Sequence, residues 1–297
     1  MDAQHRIGDD MILGIDVGKD QGKIDWDKAN QNGVRFAFIR NTFGLYEGDY
    51  DVQWYRNWSE AKRVGIPRGA YQYILSYQSI TKQARLFVER MDGDFGEIPP
   101  VLDFESWRRN DGKYESYPTL AQAKQWCETV EMLTGRTPII YCGGYWKGFA
   151  DAKDAIWALR YGHWLAQYKT SPGNETPCPP WNKWNFWQYT SAGDGSLIGV
   201  SANIDMNYFN GDEEEFAKYL KDFEGETPVN PPEEEHVKVV NCEWLSFRSK
   251  PEAYAGDRPA IGEGVICTVL ERLDGWLFVQ LSGGDTGYIS EKYTKSL

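Results

Sequence analysis

The feature that most constrains this chain is a series of eight short apolar runs, most of them separated by segments with helical spacing. They are MILGIDV (11–17), RFAFIRN (35–41), RGAYQYIL (68–75), IPPVLDFE (98–105), TPIIYCG (137–143), HWLAQY (163–168), NFWQYT (185–190) and SANIDMNY (201–208). Short runs rich in β-branched and aromatic residues, bounded by turn formers, read as strands. Helices fit into the first four gaps, for example over 51–65 and over 119–134. The second of these is entered through Pro118-Thr119 and stops near Gly135. The last three strands follow one another with little room for helices. Strand–helix alternation implies a parallel sheet with crossovers. Eight such strands imply an α/β chain folded as an irregular, TIM-like β/α barrel with few helices after its later strands.

The run beginning Asp212-EEEFAKYLKDF closes this domain as a helix. Asp212 caps it, acids fill its first turn, and Phe216, Leu220 and Phe223 share one face. The Pro- and Glu-rich GETPVNPPEEEH (225–236) reads as an exposed linker. The expected division is therefore a main domain over 1–224, a linker over 225–236 and a second domain over 237–297. The second domain holds only short strand-like runs (KVVNC, GVICTVLER, WLFVQL, TGYIS) with Gly-rich turns between them, a small all-β pattern.

The formal net charge is −12, and residues 212–235 alone carry ten acids against two bases. That is a solvated acidic spacer, and no part of the chain has a basic nucleic-acid footprint. No apolar run reaches the roughly 18 residues that a membrane span needs. The opening MDAQHRIGDD lacks the basic start and apolar core of a secretory signal, so synthesis in a cytoplasm is expected.

Cys127, Cys142, Cys178, Cys242 and Cys267 are odd in number and widely spaced, without a CxxC pair. A disulfide framework or zinc ribbon is not expected; reduced, partly buried thiols are. Of three histidines, His5 lies in the N-terminal tail and His236 in the linker. His163 alone sits in the main domain, too few for a His-rich metal site. No cofactor is expected, and carboxylates are the available acids and bases.

In a parallel barrel the active site sits at the C-terminal ends of the strands. Asp16 ends the first strand, Asp103 and Glu105 the fourth and Asp205 the eighth. Closure makes the first and eighth strands neighbours, with the fourth across the mouth. Asp103 and Glu105 are two apart and point to the same side. Crowded, desolvated acids raise one another's pKa. Such a cluster offers a protonated carboxyl beside ionised ones, the pairing that glycoside hydrolysis needs. Aromatic residues make up 15% of the chain, and rings stack on sugar faces. Tyr71, Tyr73, Tyr141, Tyr145, Trp146, Trp164, Trp187 and Tyr189 lie in or after the strands, although alternation turns half of them away. Tyr73, Tyr141, Trp187 and Gln188 are the expected substrate contacts.

Residues 11–210 resemble glycoside hydrolase family 25, the lysozymes typified by fungal and phage muramidases. GIDVGKDQGKIDW (14–26) is similar to that family's strand-one motif and PPVLDFES (99–106) to its acid-x-acid motif. IIYCGGYW (139–146), HWLAQY, FWQYTSAGDGSLIGV (186–200) and ANIDMNYF (202–209) follow in the family's order and spacing. Where the family usually has Ser, this chain has Gly18. The resemblance implies cleavage of the β-1,4 bond between N-acetylmuramic acid and N-acetylglucosamine in peptidoglycan. It implies Glu105 as general acid, Asp103 as its partner carboxylate, and Asp205 and Asp16 as groups that orient substrate and bias protonation. EWLSFRSKPEAYA (243–255) and GDTGYISEKY (284–293) resemble a bacterial SH3-like wall-binding domain, which implies wall peptide or cross-bridge as a second ligand. The whole plan resembles a phage endolysin, held in the host cytoplasm until a holin opens the membrane; an exported bacterial autolysin is the alternative. The competing functions are a chitinase-like glycosidase and a non-catalytic wall-binding protein. PPVLDFES lacks the earlier acids of a chitinase strand, and the presence of all four acids speaks against lost activity.

Overall fold

The structure is a computed structural model and describes residues 11–108, 115–149, 154–168, 173–223, 235–253, 258–282 and 285–297. The chain divides into two compact units, the first reaching Val229 and the second running from Asn230 to Leu297. Most of the expected linker, like the N-terminal tail with His5, lies outside the described residues.

The first unit is a closed barrel of eight strands. They are β1 (Ile12–Val17), β2 (Phe36–Phe43), β3 (Arg68–Tyr73), β4 (Val101–Asp103), β5 (Ile139–Cys142), β6 (Gly162–Ala166), β7 (Phe186–Gly193) and β8 (Ile204–Phe209). They neighbour one another in chain order, and β8 closes onto β1. β1 to β7 run parallel, but β8 is antiparallel to both β7 and β1. This corrects the expectation of an all-parallel sheet. A parallel return needs a crossover of a dozen or more residues. The link from Gly193 to Ile204 holds only one short 3-10 turn, Gly195–Ile198, so the chain turns straight back.

Helices α1 (Trp26–Gln31), α2 (Trp54–Arg63), α3 (Ile80–Met91) and α4 (Leu120–Thr134) cover the early strands. Between β5 and β6 the described residues hold only the single turn α5 (Gly144–Lys147) and a 3-10 segment, Ile156–Arg160. No helix is seen between β6 and β7 among the described residues. Local chemistry sets the ends. Thr119 caps α4 with Gln122 reaching back, and Gly135 stops it at φ 71°. Asp212 caps α6 (Glu213–Lys221) in the same way through Glu215.

Strand alternation separates two cores. Outward residues such as Ile15, Ile39, Ala70, Leu102, Ile140 and Leu165 pack with Trp26, Trp54, Phe87 and Trp126 of the helices. Inward residues Ile12, Phe36, Phe38, Val101, Ile139, Trp164, Phe186 and Phe209 fill the barrel floor. Phe38 stacks on Trp164 at 4.0 Å and meets Phe186 edge-on at 5.0 Å. The floor leaves room for nothing more: a Cβ on Gly14 would stand 2.3 Å from the Phe36 ring.

The second unit is all β. Its five-stranded sheet runs in the order Thr286–Ser290, Trp276–Leu281, Ile266–Leu273, His236–Val239 and Thr294–Ser296, and Trp244–Leu245 pairs with Ile261–Gly262. Val237, Val239, Phe247, Cys267, Leu277, Val279 and Ile289 form its core.

Candidate active site

On several strands the inward position that follows the floor adds a polar group at one mouth. On β1, Gly14 in the floor is followed inward by Asp16; on β2, Phe38 by Arg40; on β4, Val101 by Asp103. Asp103, Glu105, Asp16 and Asp205 all line a single cleft of about 320 Å³. Glu105 stands two residues beyond the end of β4. The alternation persists, because Phe104 between the two acids is buried in the outer core and its N–H still donates to the Tyr141 carbonyl at 3.0 Å. Asp205 reaches the mouth for a different reason than expected. It lies at the start of β8, and the reversal of that strand sets it opposite Asp16. A parallel β8 would have carried this position to the floor.

Asp16 is nearly covered, and its Oδ2 accepts two amide hydrogen bonds, from Gln188 Nε2 and Asn207 Nδ2, both at 2.8 Å. Those amides are themselves fixed: Tyr141 Oη donates to Gln188 Oε1 at 2.8 Å, Tyr168 Oη donates to the same oxygen at 3.0 Å, and Trp164 Nε1 donates to Asn207 Oδ1 at 2.8 Å. Among the described residues Arg40 is the one cation lining the cleft. Its Nε donates to Asp51 at 2.9 Å and its other end to Asp20 at 2.8 Å. Gly18, where the related motif has Ser, stands against this pair. A Cβ there would come within 2.8 Å of both the guanidinium and the Asp51 carboxylate. Asp103 is buried, and its Oδ1 has no hydrogen-bond partner. A buried polar atom left open at a cleft marks a place where a ligand can supply the missing bond.

The electrostatics follow from crowding. Burial, and then the charge of Asp205, raises Glu105 to about 7. Burial raises Asp205 to about 6, against lowering by its hydrogen bond with Asp16 and by Arg40. Burial and the neighbouring acids also push Asp16 and Asp103 well above the usual carboxylate range. The mouth thus holds protons at neutral pH beside groups that can ionise, which suits general acid chemistry.

Tyr73, Tyr141 and Gln188 line the cleft as expected, and the Tyr73 hydroxyl donates to the Glu105 carbonyl at 3.1 Å. Trp187 does not. It is fully buried in the outer core, where its Nε1 donates to the Gln167 carbonyl at 2.7 Å. Successive strand residues face opposite ways, so Trp187 and Gln188 cannot both point inward. Trp146 and Tyr189 are also on the outer side, the latter stacked on Tyr208 at 4.5 Å. Tyr145 packs there against Phe104. The cleft is completed by residues outside the expected contacts: Arg40, Phe43, Tyr71, Trp107, Trp164 and Tyr168. Parity could have found several. Arg40 follows Phe36 and Phe38, Trp107 follows Asp103 and Glu105, and Tyr168 follows Trp164, each at steps of two.

The sequence matches the profile of Glycosyl hydrolases family 25 over residues 15–197. The chain belongs to that family. It is a glycoside hydrolase of the lysozyme type. Among its relatives is the uncharacterized protein YegX of Escherichia coli K12, 36% identical over 223 residues that cover 73% of this chain and 76% of the relative. Lysozyme M1 of Streptomyces globisporus is 32% identical over 218 residues, 67% of this chain and 68% of the relative. Among solved structures, the bacterial lysozyme from Streptomyces coelicolor superposes with a TM-score of 0.59 at 26% identity. It covers 72% of this chain and 99% of its own. The matched residues thus include three of the four cleft acids, Asp16, Asp103 and Glu105. Asp205 lies just beyond the matched residues.

Proposed function

We propose that this family-25 enzyme hydrolyses the β-1,4 bond between N-acetylmuramic acid and N-acetylglucosamine in peptidoglycan, with Glu105 as the proton donor. The protein is a peptidoglycan muramidase, and the observation that carries the residue assignment is the Glu105 carboxyl, raised to about 7 at the rim of a four-acid cleft. Glu105 protonates the glycosidic oxygen as the bond breaks. Asp103, with its unpaired Oδ1, faces the sugar and steadies the oxocarbenium-like transition state. Asp16 is held by two amides and acts through its neighbours, orienting substrate and, with Asp205, keeping the Glu105 proton in place. Tyr73, Tyr141, Trp107 and Tyr168 offer ring faces and hydroxyls to the glycan. In architecture we read the barrel as a TIM-like β/α barrel whose last strand has reversed.

The test is to digest purified walls with the wild-type chain and with Glu105→Gln. The wild type should free reducing ends on muramic acid and leave stem peptides intact, and the variant should free no reducing ends. New amino groups in place of reducing ends would reject the muramidase chemistry; near-normal hydrolysis by the variant would reject Glu105 as the acid.

The second unit is read as an SH3-like wall-binding domain. Support comes from a groove lined by Asn241, Trp244, Ser246, Arg248, Ser290 and Tyr293, with Trp244 66% exposed beside it. Such a groove suits a stem peptide or cross-bridge, and a second site on a polymer raises local concentration. The chain is further read as an endolysin made in a host cytoplasm and released through a holin. Cytoplasmic expression should be harmless until a holin is co-expressed; lysis without one would sink that reading.

A further inference from the structure

Behind the tyrosine wall of the mouth, on the outer face of the same strands, three soft ligand side chains meet. Cys142 ends β5, His163 lies in β6 and Cys178 lies in the segment leading to β7. One ligand atom from each lies within 4.8 Å of the other two, and all three residues are buried. Neither ring nitrogen of His163 has a hydrogen-bond partner. Leaving buried polar groups unsatisfied is costly. The catalytic reading gives these residues no role.

The surroundings hold the three groups in place. The His163 ring stacks on Trp181 at 4.4 Å and 9°. Trp181 Nε1 donates to the Tyr161 carbonyl at 3.0 Å, and Trp146 Nε1 donates to the Pro179 carbonyl at 2.6 Å. These bonds tie the Cys178 segment to the barrel. The Cys178 thiol lies 3.6 Å from the Gly143 carbonyl and 3.8 Å from that of Cys142, and it also meets the Cys142 thiol and the His163 ring.

We propose that Cys142, His163 and Cys178 form a buried zinc site that staples β5 and β6 to the segment before β7. Thiolates and imidazole are zinc ligands, and the burial of all three favours a structural role once a fourth ligand completes the tetrahedron. Charge selects the ion. Two thiolates and a neutral imidazole cancel a divalent cation, whereas the same set around monovalent copper leaves one net charge in a dry interior. Binding exchanges two S–H bonds for two S–Zn bonds, and both protons leave to solvent. The Cys142 and Gly143 carbonyls, 3.8 and 3.6 Å from the Cys178 sulfur, are available for a fourth position. The staple would brace the side of the barrel that, among the described residues, is covered only by the single turn α5 and the 3-10 segment Ile156–Arg160. Tyr141 and Trp164, the chain neighbours of Cys142 and His163, face the cleft, so the ion would hold the wall against which substrate lies.

The test uses the full chain, produced in zinc-containing medium and purified in reductant without a metal-affinity step. Elemental analysis should find one zinc per chain. Chelation should lower the melting temperature, and added zinc should restore it. Cobalt(II) added to the stripped protein should give the intense thiolate-to-cobalt absorption band. Cys142→Ala/Cys178→Ala should lose the metal and the thermal response; the cobalt band of the wild type stands as evidence even where that variant fails to fold. The proposal is overturned by a wild-type chain with no retained zinc, no thermal response and no cobalt band. It is equally overturned by zinc that persists in the double variant, by a stable preference for copper(I) over zinc, or by an intact mass showing a Cys142–Cys178 disulfide.

Discussion

The floor and the mouth of the barrel are built on the same strands, two residues apart, and are chemically opposite. Phe36, Phe38, Trp164 and Phe186 fill the floor with ring contacts. One inward step further along stand Asp16, Arg40, Asp103 and Gln188, with Glu105 beyond Asp103 and Asp205 brought in from the start of the reversed β8. The comparison teaches that the two regions depend on each other. The dry floor and the outer core exclude water from beneath the acids, and that burial is the largest cause of every raised carboxyl pKa in the mouth. The floor contributes stability; the mouth gives some of it up to keep a proton available.

If that division holds, the largest effect will be on turnover. Glu105→Gln should lower kcat on soluble glycan by about 10²–10⁴-fold, the range expected of a general acid, with no loss of melting temperature. A variant that kept a tenth of wild-type turnover, or that unfolded, would break the distinction. The converse substitution, Phe38→Ala, should cost about 3–5 kcal/mol of stability in a denaturant titration. Its turnover per folded molecule should stay within several-fold of wild type. A stability loss under about 1 kcal/mol would mean the floor is not the packed support described here.

A smaller effect sharpens the coupling. Activity should fall as pH rises through about 7, where Glu105 loses its proton. Asp205→Asn removes a negative neighbour and should move that limb to lower pH; a shift upward would contradict the assigned cause. Stability should show the same linkage. The folded values of about 7 and about 6 exceed the ordinary 4.5 and 3.8, so the folded state holds protons that the unfolded chain releases. The benefit is full below pH 4 and is lost as pH rises toward 7. Melting temperatures measured across that window should fall with pH, and less steeply in Glu105→Gln. The smallest effect is expected from Trp244→Ala in the second unit. Co-sedimentation with walls should weaken by a few-fold while hydrolysis of soluble fragments is unchanged. Unaltered sedimentation would remove Trp244 from the binding surface.

Much of the barrel was legible because strand signals are local. All eight apolar runs became its strands, and the caps at Thr119 and Asp212 are where their side chains predict. The four acids were legible because a charge at the end of an apolar run is costly to bury without a purpose. The direction of β8 was less so. It turned on the length of one connection, and Asp205 reached the mouth at the start of its strand, not at the end. Trp187 was misplaced because a barrel strand is apolar on both faces, so hydrophobicity does not say which parity points inward.

The order of the strands' residues, their period of two and the acids at their tips belong to the sequence alone, since each is a property of neighbours along the chain. Tertiary structure decided which parity faces the cleft, which way the last strand runs, and which distant groups meet. Asp16 beside Asp205, Arg40 braced by Asp51, and Cys142 against His163 and Cys178 are all products of closure. Closing a sheet into a barrel joins its two ends, and no local propensity specifies which side chains that join brings face to face.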